Sequence, residues 1–182
     1  MPGESPSSGF WYWLRVAAIG RRPKRTLARL AALVAASVVV FNFVLLPIRV
    51  TGISMEPTFH DQTVNFINRL AYVRGEPQRG DVVGLRFSTN GTGAVHVILL
   101  KRLVGLPGET ISFSDSYLCV NGEPLEEPYL KLRSPWNEPG KTLGPGHYYF
   151  VGDNRSMPPG LHEHGVATRS QIVGRVLLKG NQ

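Results

Sequence analysis

The stretch LAALVAASVVVFNFVLLPI, residues 30–48, divides the chain into two unlike parts. Its 19 residues lie between Arg29 and Arg49 and carry no charge. At about 1.5 Å per residue, a helix of this length spans roughly 28 Å, close to the ~30 Å hydrocarbon core of a bilayer. A core helix of a soluble protein rarely lacks a polar face over such a length. The stretch therefore predicts a transmembrane helix over residues 30–48.

Positive charge is concentrated on the N-terminal side of this helix. The 182 residues carry a formal net charge of +7, and residues 1–29 contribute six basic residues against Glu4. The remaining 14 basic and 12 acidic residues leave only +2. Positive residues mark the cytoplasmic side of a membrane span, so we expect residues 1–29 to be cytoplasmic and residues 49–182 to form an extracytoplasmic domain. Nucleic acid is not an expected partner, since proteins that bind it carry positive charge on the folded domain. Membrane lipid is an expected partner.

The apolar stretch is expected to remain as an anchor. Its exit, residues 45–50, lacks the small-x-small pattern of a cleavable signal peptide. Upstream, the aromatic residues 10–13 are too few to span and suit the membrane interface, with an unstructured tail as the alternative. A bacterial cytoplasmic membrane is the simplest location. A mitochondrial inner membrane stays open, because residues 1–29 are rich in Arg and poor in acidic residues, as in some transit peptides.

From Arg49 onward, short apolar stretches alternate with Gly and Pro, which is typical of a compact, mostly antiparallel β domain. Pro107-Gly108 suits the centre of a type II turn, and Asn121-Gly122 indicates a tight hairpin. The single Cys119 excludes an intrachain disulfide and a multi-cysteine zinc site. Residues 130–146, with three prolines, predict a connecting loop. Strands are expected over residues 82–85, 95–104, 111–113, 117–120, 148–151 and 172–178.

Two polar residues could supply a nucleophile and its base. Ser54 follows Arg49 by five residues, and its hydroxyl would need a nearby base to attack a substrate. A lysine with an ordinary pKa of ~10.4 is protonated at neutral pH, but burial in apolar surroundings lowers that pKa. Lys101 lies in an apolar run, and strand alternation places Arg102 on the opposite face. Only Lys101 can lose its proton; the alternative is a surface Lys101 beside a buried Arg102.

Five short motifs follow the apolar stretch in order. They are Ser-Met-x-Pro-Thr from Ser54, Arg-Gly-Asp-Val-Val from Arg79, Lys-Arg-x-x-Gly-x-Pro-Gly from Lys101, Asn-Gly at Asn121 and Gly-Asp-Asn-Arg from Gly152. In this order, behind an N-terminal anchor, they resemble the type I signal peptidase family, the membrane-bound Ser/Lys serine endopeptidases that remove signal peptides. The resemblance covers residues 49–179.

The resemblance implies a mechanism and a substrate. Ser54 would be the nucleophile, Lys101 the general base that later protonates the leaving amine, and the Ser54 N–H an oxyanion donor. The substrates would be precursor proteins cut after small-x-small sites such as Ala-x-Ala, by a monomer without metal or organic cofactor. It leaves the substrate-binding residues unassigned. A second oxyanion donor stays open, because Gly52 stands where some members carry a hydroxyl. Residues expected to support the site are Gly52, Met55, Asp153, Asn154, Arg155 and Ser156.

The sequence departs from the family pattern after Arg155. The family usually has a serine three residues later, which is thought to bond the catalytic lysine, and then Asp-Ser-Arg; here those places hold Pro158 and Gly160-Leu161-His162. Ser156 or a shifted loop would have to orient Lys101 instead. The neighbouring residues 162–164, His-Glu-His, are expected to be solvent-facing loop residues, since no further metal ligand is clustered with them.

Two other functions stay open. A processing peptidase dedicated to a pilin or another single substrate would fit the altered loop after Arg155. A catalytically silent relative would bind peptides without cleaving them, although the presence of both Ser54 and Lys101 argues against it.

Overall fold

The computed structural model describes residues 22–88, 96–133 and 135–177. The chain divides into two compact units, residues 1–42 and 43–182. The aromatic residues 10–13, most of the basic segment 1–29, and the outer ends of the strands predicted at 95 and 178 lie outside the described residues.

In the described part of the first unit, residues 22–42, the chain forms an apolar helix. Helix α1, Pro23–Val39, begins with Pro at its first turn, where a missing N–H costs nothing. It runs into a π-helical turn, Val40–Val44. The 22 residues Pro23–Val44 contain an 18-residue window with a mean hydropathy of 2.1, and they are long and apolar enough to cross a membrane. The helix thus begins before residue 30 and ends before residue 48.

Residues 45–48, predicted as the end of the span, lie instead in strand β1, Leu45–Arg49. β1 pairs antiparallel with β2, Val64–Asn68. Pro47 explains the change, because proline cannot continue a helix and is tolerated in an edge strand, which β1 is.

The second unit is built from two antiparallel sheets, which confirms the predicted antiparallel β class. Its strands after β2 are β3 Val82–Ser88, β4 His96–Gly105, β5 Thr110–Ser114, β6 Tyr117–Val120, β7 Glu123–Pro124, β8 Glu138–Thr142, β9 His147–Val151, β10 Gly165–Thr168 and β11 Ile172–Val176. Among the described residues, the larger sheet has seven strands in the order β1-β2-β11-β3-β4-β9-β10, and the smaller has four in the order β7-β6-β5-β8.

Strand β8 lies inside the segment predicted as a loop. Its pairing with β5 is irregular between Ile111 and Phe113, and it contains Pro139. An edge strand with a bulge accepts a proline that a central strand would not, because the missing N–H is not needed for pairing. The turn predictions fit the backbone, since Gly108, Asn121 and Gly122 all have positive φ.

The core follows strand alternation along β9. Tyr148 and Phe150 pack into one hydrophobic cluster, whereas Tyr149 and Val151 pack into another that joins β4 to the smaller sheet. Both faces of β9 are therefore buried. The residues that follow β9 thus extend from a rigid strand.

Candidate active site

Ser54 lies in the turn between β1 and β2. The next residue, Met55, is 1% exposed and packs with Val50, Phe59 and Leu100. Gly52 has a φ of +93°, a conformation that favours glycine, and its N–H donates to Asp61 Oδ1 at 2.8 Å. This bond lowers the pKa of Asp61. The turn is held on both sides of Ser54, whose hydroxyl is half-buried.

Lys101 lies on β4, opposite Val83 of β3, and is 1% exposed. Its Nζ donates a hydrogen bond to Ser54 Oγ at 3.0 Å. Burial lowers the pKa of the Lys101 amine below its ordinary value, although the hydrogen bond and charge of Glu163 oppose that shift. The structure thus brings the two predicted reacting groups, 47 residues apart in the chain, into direct contact.

Glu163 supplies the second contact of Lys101. Its Oε2 lies 3.2 Å from Nζ, and its side chain is 64% exposed. The sequence suggested Ser156 or a shifted loop for this place. Ser156 is exposed and donates its hydroxyl hydrogen to Asn154 Oδ1 at 2.6 Å. The contact to Lys101 therefore comes from the loop, through a carboxylate.

The residues after β9 support the backbone of Ser54. A Cβ at Gly152 would lie 2.2 Å from the Ser54 carbonyl oxygen and 2.7 Å from His162 Nε2, so only glycine fits. The Asn154 N–H donates to the Ser54 carbonyl, and its side-chain amide donates to the Ile53 carbonyl, both at 3.0 Å. Asn154 lies where the resemblance implied a supporting residue.

Asp153 holds the far end of the nucleophile turn. It is buried and accepts hydrogen bonds from Arg102, one of them at 2.8 Å from Nε, and from the Thr58 hydroxyl. Tyr129 stacks on the guanidinium at 3.8 Å. Although burial disfavours the charge, Asp153 raises the pKa of Arg102 above its ordinary value. Both Lys101 and Arg102 are buried, so the alternative with a surface Lys101 is wrong.

Arg155 is a buried brace behind the site. Its guanidinium forms a two-point ion pair with Glu127, with exposures of 1% and 6%, and its Nε donates to the Gly152 carbonyl at 2.9 Å. Such paired contacts combine charge with fixed geometry. These contacts hold Gly152 in place, and Gly152 in turn lies close to the Ser54 carbonyl.

His162 is not the exposed loop residue that the sequence predicted. Its ring is 3% exposed, lies 5.1 Å from the Trp136 ring, and has no hydrogen-bond partner for either nitrogen among the described residues. Burial, helped by the charge of Lys101, lowers the pKa of His162 to about 3. His164 stacks on Trp136 at 4.7 Å and is partly buried. The aromatic surface of Trp136 is the reason for both placements.

Within the described ranges, no group of three or more His, Cys, Asp or Glu side chains is arranged to hold a metal ion. Ser54 contacts the Lys101 amine and the Asn154 backbone N–H, and the amine in turn contacts the Glu163 carboxylate. This donor set suits proton transfer and acyl transfer.

Comparison with known proteins identifies the family. The family described as "Signal peptidase, peptidase S26" matches residues 24–179. Signal peptidase I T of Bacillus subtilis (strain 168) is 38% identical over 150 residues, which cover 76% of this chain and 75% of that protein. The chain belongs to the signal peptidase family, peptidase S26. The resemblance drawn from the motifs is confirmed.

Two further relatives carry the same type of name. Signal peptidase IB of Staphylococcus aureus (strain Mu50) is 26% identical over 174 residues, covering 84% of this chain and 88% of that protein. The crystal structure of a signal peptidase I from Enterococcus faecalis V583 is 27% identical, with a TM-score of 0.42, and covers 55% of this chain and 96% of that one.

Three residues of the site were not predicted from the sequence. Glu163 and His162 lie in the segment that departs from the family pattern, so the motifs give no guide to them. Thr58 is the last residue of the Ser54 motif, but its bond to Asp153 crosses 95 residues. Their identity as site residues depends on contacts between distant segments, which a local pattern does not carry.

Proposed function

We propose that this protein is a membrane-anchored serine endopeptidase that removes signal peptides from exported precursors with a Ser54/Lys101 dyad. The observation that carries the proposal is the 3.0 Å contact between Ser54 Oγ and the buried amine of Lys101. Burial favours the neutral amine, which is the form that can take a proton from a hydroxyl.

The reaction proceeds in two halves. Ser54 Oγ attacks the carbonyl carbon of the scissile peptide while its proton passes to the neutral Lys101 amine. The Ser54 N–H, which has no acceptor among the hydrogen bonds of the described residues, is free to stabilise the oxyanion. Protonated Lys101 then gives the proton to the leaving amine as the C–N bond breaks. Lys101 next takes a proton from water as the water oxygen attacks the acyl-enzyme ester. It returns this proton to Ser54 Oγ as the ester C–O bond breaks, which releases the signal peptide with a free carboxyl group and restores the dyad.

Anchoring would place this chemistry beside the membrane. The apolar part of helix α1 and the π-helical turn would form the span, the basic residues 1–29 would be cytoplasmic, and residues 45–182 would form the exported catalytic domain of a monomer in the bacterial cytoplasmic membrane. Ser54 follows the end of the apolar helix by ten residues, which suits a cleavage site emerging from the bilayer. The expected specificity is small-x-small, with the precursor extended beside a strand edge.

The dyad is tested with purified full-length protein in detergent and a precursor with an Ala-x-Ala site. We expect Ser54→Ala and Lys101→Ala each to lower kcat/KM by about 10³-fold or more, because neither nucleophile nor base has a substitute. Measured cleavage of the precursor gives the result. The matched controls Ser114→Ala and Lys141→Ala alter exposed residues on β5 and β8 and should leave it unchanged.

Retained turnover in either site variant would overturn the dyad. A wild-type protein that binds the precursor but neither cleaves it nor reacts with a serine-directed acylating probe at Ser54 would identify a silent binding relative.

The loop after Arg155 also favours a second, narrower candidate. Pro158 and Gly160-Leu161-His162 replace the usual family residues, and the contact to Lys101 comes from Glu163. A peptidase dedicated to one precursor would tolerate such a change more easily than a general one. Expression in a strain depleted of its own signal peptidase separates them: restored growth indicates a general enzyme, whereas cleavage of one precursor without growth indicates a dedicated one.

A further inference from the structure

The amine of Lys101 has an unusual partner for a group that must lose its proton. Within the described residues, its hydrogen bonds go to Ser54 Oγ at 3.0 Å and Glu163 Oε2 at 3.2 Å. A hydroxyl partner would orient the amine without adding charge. A carboxylate orients it and also stabilises its protonated form.

The loop presents Glu163 to Lys101 through its two neighbours. On one side, the buried His162 ring lies against Trp136. On the other, His164 stacks on Trp136 and shares a 2.9 Å hydrogen bond with the Tyr149 hydroxyl. With the residues before and after it anchored in this way, Glu163 has its carboxylate at the amine although most of its side chain is exposed.

Glu163 supplies the negative charge at the amine among the groups that face it. His162 and His164 face Lys101 from the same loop, and burial lowers the pKa of both, so they are neutral near pH 7. Arg155 lies behind them and is paired with Glu127. Ser54 is neutral. A change at Glu163 should therefore alter the charge felt by Lys101 without a compensating change nearby.

We propose that Glu163 is the positioning residue for Lys101, holding Nζ at the Ser54 hydroxyl and setting the pH above which the peptidase is active. The proposal rests on the dyad of the proposed function. It divides the effect of the side chain into two parts: the oxygen acceptor orients the amine, and the negative charge favours its protonated form.

Two variants at one position separate these parts. Glu163→Gln keeps an oxygen acceptor but removes the charge, so the acidic limb of the kcat/KM profile should move to lower pH and the plateau should stay near that of the wild type. On that limb kcat/KM should rise by about three- to ten-fold. Glu163→Ala should show the same shift but lose about ten-fold at the plateau, because the amine is no longer oriented. The matched control Glu123→Gln, exposed on β7, should change neither quantity.

The two parts can each be overturned. An acidic limb that does not move in either variant contradicts the charge effect, and an unreduced plateau in Glu163→Ala contradicts the orienting effect. A side chain needed only for folding would lower the plateau in both variants without moving the limb.

A second measurement does not depend on cleavage. In full-length Ser54→Ala protein in detergent, the acetylation of Lys101 by acetic anhydride is followed against pH by peptide mass spectrometry. Adding Glu163→Gln should shift the onset of labelling to lower pH, and an unchanged onset contradicts the proposal. If this shift is found but the wild type cleaves no precursor, the proposed function fails and the role of Glu163 for the amine stands.

Discussion

Lys101 and Arg102 are neighbours on β4, both buried, and they are neutralised in different ways. Arg102 pairs with Asp153, whose side chain is 0% exposed and also accepts a bond from Thr58. Among the residues that the structure describes, Lys101 has one charged partner, Glu163, whose side chain is 64% exposed. A permanent cation thus has a buried, fully bonded partner, whereas the amine that must lose its proton has a solvated one. The comparison shows that strand alternation separates the structural cation, Arg102, from the reacting amine, Lys101, because the two side chains lie on opposite faces of β4.

The largest expected effect comes from breaking the ion pair between Arg102 and Asp153. Asp153→Asn leaves Arg102 buried with its charge uncompensated, which should lower the free energy of unfolding by about 3–5 kcal/mol. Urea unfolding of the full chain in detergent, followed by tryptophan fluorescence, measures this. The matched change Glu163→Gln should cost less than about 0.5 kcal/mol, because its carboxyl is mostly solvated. Equal losses of stability in the two variants would contradict the difference between the Arg102–Asp153 pair and the Lys101–Glu163 pair.

A second, smaller effect should appear as a dependence of stability on pH. Because burial lowers the pKa of His162 from 6.5 to about 3, the unfolded chain binds a proton in this window that the folded chain does not. The protein is therefore fully stable above pH 6.5 and loses stability as the pH falls from 6.5 towards 3. At a pH of about 5 the loss in the free energy of unfolding is about 2 kcal/mol. Urea unfolding above pH 6.5 and at a pH of about 5 measures this loss.

His162→Phe should remove this pH dependence, since the ring that packs on Trp136 is kept and the titrating nitrogens are not. His60→Asn, at an exposed site, is the matched control and should leave it intact. An unchanged pH dependence in His162→Phe would show that the titration of His162 is not its source and would contradict this prediction.

The smallest expected effect is a gain in stability at Lys101 itself. Lys101→Met removes a buried amine and leaves Glu163 free in solvent, so it should raise the free energy of unfolding by about 1 kcal/mol while abolishing cleavage. Arg102→Met, which leaves Asp153 buried without its partner, should instead destabilise the protein. Urea unfolding of both variants gives the signs, and a loss of stability in Lys101→Met would show that its charge stabilises the fold.

Most of the β architecture was accessible from the sequence, because its signals are local. Asn121-Gly122 and Pro107-Gly108 both lie at turns with positive φ, and the strands around Lys101 follow apolar runs. Five strands of the described residues were not predicted, namely β1, β2, β7, β8 and β10. Three of them, β1, β7 and β8, contain a proline, and their pairing depends on the strands beside them. An edge position that excuses a proline is a property of the sheet.

The candidate site divides in the same way. Short motifs and side-chain chemistry predict Ser54 and Lys101, and the same resemblance implies Asn154 as a supporting residue. The sequence does not predict Glu163, since nothing in a loop sequence says which of its side chains reaches an amine 62 residues away. The burial of His162 was missed for a related reason, because the Trp136 surface that covers it is distant in sequence.

The sequence by itself determined the apolar helix, the antiparallel β class and the two reacting groups, because hydropathy, turn chemistry and the ability to lose a proton belong to individual residues and their neighbours. Only the tertiary structure decided where the helix gives way to a strand, which carboxylate meets Lys101, and that Arg102 is buried with Asp153. Those features arise from contacts between distant segments, and the free energy of burying or pairing a charge has no value until the groups around it are in place.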